Sequence, residues 1–236
     1  MVIHIFIGTS GWNYDWNKGK SLEWYIENTK FNAIELNYSF YHIPTEKSIK
    51  SWITGNELSW SVKVNRVITH TYRLNEKSIK YIKDFINLFD KSALKVDNFL
   101  FQLPPSFTAK NADRVINISK LFDKSRLIFE ARNLSFFKDS IYKKFKENGI
   151  TLASIDSPLG NFYVNTTGTI YLRLHGRKNW YSYNYLKNEL SDILESIIKL
   201  KPKKIYIFFN NVYMFQNCNL FINLVKEKYG NILYYR

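Results

Sequence analysis

The chain has 236 residues, 45% of them hydrophobic, which is enough to bury a sizeable core as one large domain or two small ones and argues against disorder. Its 34 Lys and Arg against 20 Asp and Glu give a formal charge of +14, a field that attracts polyanions or anionic small molecules unless it is only a solvated surface. The lone Cys218 excludes an intramolecular disulfide, and "VIHIFI" lacks a basic n-region and is too short for a secretory h-region or a membrane span, so a cytoplasmic protein with no membrane contact is expected.

In chain order, eight short β-branched or aromatic runs read as strands: "IHIFIG" (3–8), "NAIELN" (32–37), "SWSVKV" (59–64), "DNFLFQ" (97–102), "RLIFEA" (126–131), "ITLASI" (150–155), "TIYLRL" (169–174) and "KIYIFF" (204–209). Amphipathic stretches with apolar residues three and four apart lie between most of them, as in 76–93 and 185–201. Strands that are apolar on both faces and joined by helices predict a parallel sheet. Eight such units in this length suit a single (β/α)8 barrel over residues 1–236, a fold typically of about 250 residues, better than an open doubly wound sheet. One crossover departs from the pattern: "DSPLGNFYVNTTG" has Pro, Gly and no helical period, which predicts a loop between the sixth and seventh strands.

In such a barrel the chemistry gathers at the carboxyl ends of the strands, and polar residues recur there. They are Thr9, Ser10 and Trp12 after the first strand; Glu35 and Asn37 at the second, with Tyr41 beyond; Lys63 at the third, with Asn65 and His70 beyond; and Gln102 at the fourth. Then come Glu130 and Arg132, Asp156, Arg173 and His175, and finally Asn210 and Asn211. Residues two apart on a strand share a face, so Glu35 with Asn37, Glu130 with Arg132, and Arg173 with His175 can each point into one pocket. The alternative for Glu130, Arg132 and Arg173 is a buried ion-pair network that only closes the barrel. In "GTSGW" the glycines allow close backbone approach, Thr9 and Ser10 offer hydroxyls, and Trp12 is either a stacking plate or a packed-down turn residue.

The stretches "GTSGWNY", "IELNYSFYHIP", "VKVNRVITH", "FLFQLPPSF", "FEARN", "YLRLHGR" and "YIFFNN" resemble, in order and spacing, the YecE-like family, also called domain of unknown function 72. The resemblance covers roughly Gly8 to Asn211 and implies a TIM barrel but no reaction. It carries over Phe40 and Gly176 as well as the strand-end residues above; where the family commonly has a His after the Arg of its fifth strand, this chain has Asn133.

A metal-dependent phosphodiesterase of the endonuclease-IV type needs many His and carboxylate ligands. His42, His70 and His175 with Glu35, Glu130 and Asp156 would serve one ion but are thin for a cluster, and no HExxH spacing occurs. No cofactor fingerprint is present, and neither a G-x-S-x-G elbow nor a base beside Ser10 is evident. The preferred reading is a metal-free site in which a carboxylate, Glu35, Glu130 or Asp156, acts as acid or base, with His70 also among the catalytic candidates, while Lys63 and Arg173 hold an anionic group that is phosphorylated or derived from nucleic acid. The loop "HGRKNWYSYNY" adds Arg177 and Lys178 among aromatic residues; with no Asp or Glu between 170 and 185, these cations are expected to recruit an anion. A non-catalytic nucleic-acid-binding protein is the other reading of the same charge.

Overall fold

The structure, a computed structural model, describes residues 3–230 and the backbone of 233 and 234. It is a mixed α/β fold whose contacts divide the chain into two compact units: residues 1–34 with 153–236, and residues 35–152.

The first unit contains β1 (Ile3–Thr9), α1 (Leu22–Asn28), β7 (Ser154–Ser157), β8 (Gly160–Phe162), β9 (Thr169–Leu174), α7 (Lys187–Lys199), β10 (Lys204–Phe209), α8 (Met214–Tyr229) and β11 (Leu233–Tyr234). Its strands follow the order β8-β7-β9-β10-β1. All of these pairings are parallel except the β7–β8 hairpin, and β11 also runs parallel to β1. No helix forms between β7 and β9, as Pro158 and Gly160 predict. The run 150–155 is not one strand: it breaks at Ala153 into β6 (Thr151–Leu152) and β7, which fall in different units.

Ala33 and Ile34, the start of β2 (Ala33–Leu36), pair with Gly8 and Thr9. The approach there is close, since a Cβ on Gly8 would lie 1.9 Å from the Ala33 carbonyl oxygen, and only glycine fits.

The second unit holds the rest of β2, α2 (Tyr38–Tyr41), α3 (Glu46–Ser51), β3 (Ser59–Lys63), α4 (Ser78–Asp90), β4 (Val96–Gln102), α5 (Ala112–Ser119), β5 (Leu127–Glu130), α6 (Asp139–Asn148) and β6. Its strands pair in parallel in the order β6-β5-β4-β3. Helix α4 shows why the apolar period was legible: Ile82, Phe85 and Phe89 are buried while Lys80, Lys83 and Asp84 face solvent, the division an amphipathic helix requires. Between β3 and α4 the chain makes one π-helical turn, Val67–Thr71, closed by Tyr72 N–H donating to the Val67 carbonyl at 2.9 Å.

Candidate functional site

In the second unit the strand register puts four of the candidate residues on one face. Lys63 of β3 pairs with Leu100 of β4, Leu100 pairs with Ile128 of β5, and two residues further on Gln102 pairs with Glu130. Because side chains two apart share a face, Lys63, Gln102 and Glu130 point the same way, and Arg132 continues that face past the end of β5. Arg132 is ion-paired with Glu130 through Nε, and both lie almost wholly out of solvent. Burying such charges is costly unless they are paired, so each constrains the other.

Lys63 is buried with its Nζ 4.0 Å above the centre of the Phe40 ring, a cation–π contact. The edge of the same ring meets His70, with centroids 5.2 Å apart. The π-helical turn delivers His70 there. It is pinned at its start by Asn65, whose Oδ1 accepts from Val67 N–H at 3.1 Å and whose Nδ2 donates to the Ser39 carbonyl at 3.1 Å. The Ser39 hydroxyl in turn donates to the Lys63 carbonyl at 2.6 Å. Partial burial, followed by the positive charges of Lys63, Arg66 and Arg132, pulls the His70 imidazole down to about 4 from its ordinary 6.5, so it is neutral at physiological pH. Asn65 stands among the strand-end residues the sequence singles out, whereas Thr69 and Arg66, which also shape this corner, carry no signal that sequence reasoning could rank as functional. Glu35 is fully buried at the end of β2; Asn37 is half-buried and Tyr41 is exposed.

In the first unit the register separates residues that look equivalent in the sequence. Arg173 pairs with Ile155 on one side and Phe208 on the other, and Phe208 pairs with Gly8. Asp156 pairs instead with Leu174, which pairs with Phe209, which pairs with Thr9. Arg173 therefore lies on one face, and Asp156 and Thr9 lie on the other. Continuing the alternation, Ser10, His175 and Asn210 join the Arg173 face, and His175 Nδ1 and Asn210 Nδ2 are 3.3 Å apart.

The opposite face belongs to the helices and their loops. The Thr9 hydroxyl meets Tyr25 of α1 at 3.2 Å, and Asn211 Nδ2 reaches Asn217 of α8 at 2.9 Å. Asp156 accepts from the Tyr163 hydroxyl at 2.6 Å, the Tyr185 hydroxyl at 2.8 Å and the Arg177 guanidinium. Trp12 is half-buried within its loop, where its carbonyl accepts from Asn17 Nδ2 at 2.9 Å.

Arg177 does not stand as the unneutralised cation the sequence led us to expect. It is ion-paired with Asp156 and with Glu189 of α7, each at 3.1 Å. The absence of acids between 170 and 185 was a poor guide, because the partners arrive from 21 residues before and 12 residues after. Burial works against the guanidinium charge, but the Asp156 hydrogen bonds outweigh it and hold the Arg177 pKa above its usual value. Burial, then the Asp156 charge, raises the Tyr163 and Tyr185 phenols. The hydrogen bond to Glu189 pushes Tyr183 up to about 12. Glu189 also accepts from the Leu186 backbone N–H at 2.9 Å, which fastens the loop to the first turn of α7. Lys178 is exposed, with no ion pair among the described residues.

Among the described residues no group of three or more His, Cys, Asp or Glu is arranged to hold a metal ion, and no helix is long and apolar enough to cross a membrane.

Parallel βα units with polar residues at the strand carboxyl ends define a mixed α/β protein with its candidate chemistry on the strand-end loops. Residues 6–233 match the family model described as "Protein of unknown function DUF72", the family also called YecE-like, and the chain belongs to that family. A crystal structure of a DUF72 family protein from Enterococcus faecalis V583 superposes with a TM-score of 0.79 at 20% identity, over 95% of this chain and 96% of that one. Another, from Thermotoga maritima MSB8, gives 0.77 at 23% identity, over 94% of this chain and 99% of that one. At these identities the likeness concerns the fold alone. A search of the curated proteins gave no match.

Proposed function

We propose that this DUF72 protein binds, and acts on, a small anionic ligand, phosphorylated or derived from nucleic acid, at the carboxyl ends of its strands. The observation that carries the reading is the clustering of Lys63, Arg132 and His70 with Glu130 and Gln102 at one corner of the second unit. Two buried cations and a neutral imidazole beside one carboxylate suit an oxyanion, with Gln102 as a neutral donor and Glu130 as the group that can accept a proton. The reading takes the eight strand runs as a (β/α)8 barrel, supported by the parallel registers within each unit and the missing helix before β9. It keeps the protein in the cytoplasm, in line with a buried free thiol at Cys218.

The test is titration of wild type and Lys63→Met with inorganic sulfate, inorganic phosphate and a nucleoside monophosphate. Loss of the Lys63 charge is expected to weaken binding about tenfold, the share of one charge-assisted hydrogen bond. Equal affinity in the two proteins would overturn the reading. The second reading, a non-catalytic nucleic-acid-binding protein, draws on the exposed Tyr14, Tyr181 and Tyr213 and the +14 charge, and a steep fall of affinity with salt would mark the ligand as a polyanion.

A further inference from the structure

We propose that His70 is the proton-carrying residue of this anion site: an oxyanion held by Lys63 and Arg132 meets Nε2 of His70, and in mildly acidic solution its arrival brings a proton onto the imidazole. The inference rests on the anion-binding reading above and assigns that site a proton stoichiometry.

The geometry supports it in three ways. First, His70 and Lys63 both contact one ring, Phe40, and the Lys63 charge bears on the imidazole, so the two belong to one corner. Second, the residue sits in a π-helical turn, a rare element that recurs at functional sites, and Asn65 hydrogen-bonds the start of that turn to Ser39. Third, the two ring nitrogens have separate tasks. Nδ1 lies 2.9 Å from the buried Thr69 hydroxyl, which can accept its proton; Nε2 has no hydrogen-bond partner among the described residues, and the ring is half-buried, so a solute can reach it. In the imidazolium both N–H groups would then be satisfied, one by Thr69 and one by the anion.

The charges around the ring set the direction of the effect. Lys63 comes from β3, Arg66 from the turn's own start, and Arg132 from the end of β5 with its partner Glu130. On the outer side, Tyr81 and Asp84 of α4 line a groove against Val67 and Ile68 of the same turn. Three cations bear on the imidazole and keep it neutral; a bound anion cancels part of their field, so that in mildly acidic solution the imidazole takes up a proton as the anion binds. The proton comes from solvent, no covalent bond changes, and the site's net charge changes by less than the charge of the anion that enters.

The experiment is a proton NMR titration of the histidine ring resonances with and without saturating inorganic sulfate, which stays a dianion throughout, with His70 assigned by His70→Gln. We expect sulfate to raise the His70 midpoint by one to two units from about 4. A two-unit rise makes sulfate bind about tenfold more tightly at pH 5 than at pH 7, and His70→Gln abolishes that difference. The wild-type titration requires no variant, so a poorly folding substitution cannot hide the result. If sulfate binds in a Lys63-dependent way while the His70 midpoint stays put, the proton assignment is overturned and the anion reading stands. If the pH dependence persists in His70→Gln, the proton goes to another group and the assignment is equally overturned. Absence of sulfate binding at every pH sinks both.

Discussion

Arg177 grips Asp156 with its whole edge: Nε lies 3.2 Å from each carboxylate oxygen and Nη2 lies 3.1 Å from Oδ2. The same guanidinium reaches Glu189 with Nη1, so one side chain ties the end of β7 to the start of α7. Asp156→Ala should strand this cation and two tyrosine hydroxyls, and we expect a loss of about 3 kcal/mol, at the lower end for a broken buried pair because Arg177 can turn toward water. Urea unfolding of wild type and variant measures it; a change below about 1 kcal/mol would mean that the network is decorative.

The same pairing separates two sets of cations. Arg177→Met and Lys178→Ala should leave sulfate affinity within twofold of wild type, whereas Lys63→Met should not, when all three are titrated at two salt concentrations. Equal losses in all three would return the loop to the ligand site.

Gly8→Ala tests the packing of β1 on the start of β2. The added carbon would meet a backbone oxygen at 1.9 Å, which no side-chain rotation can relieve, so a destabilisation of about 3 kcal/mol or more is expected, read as a fall in Tm.

His70 also makes stability depend on pH. Its midpoint is about 4 in the folded chain against 6.5 as the ordinary value, so between these limits the unfolded chain binds more protons. Stability therefore falls as pH drops from 6.5 toward 4 and gains nothing above that window. Screening at this half-exposed ring limits the effect to about 1 kcal/mol. Denaturant curves at pH 7 and pH 4.5 should differ less in His70→Gln than in wild type; an identical difference would refute the assignment.

The strands were legible because buried parallel strands are apolar on both faces: 169–174 and 204–209 match β9 and β10 residue for residue. The missing helix before β9 was legible for the opposite reason, from Pro158 and Gly160. The meeting of Glu130 with Arg132 follows from alternation along a strand. What escaped is whatever depends on partners remote in the chain. Asp156 lies 21 residues before Arg177 and Glu189 12 after, and no local pattern announces such a meeting. The π-helical turn at Val67–Thr71 has no periodic signature either, since a single turn is shorter than any window in which a period can be counted.

Neighbouring polar residues at the strand ends of the first unit belong to opposite faces: Thr9 reaches Tyr25 while Ser10 continues the Arg173 face, and Asn210 meets His175 while Asn211 meets Asn217. Adjacent positions that read as a single polar motif thus meet different partners on different faces. A saturation library scored for cellular abundance should beat in twos at these ends, with abundance falling more at Thr9 and Asn211, which hold α1 and α8, than at Ser10 and Asn210.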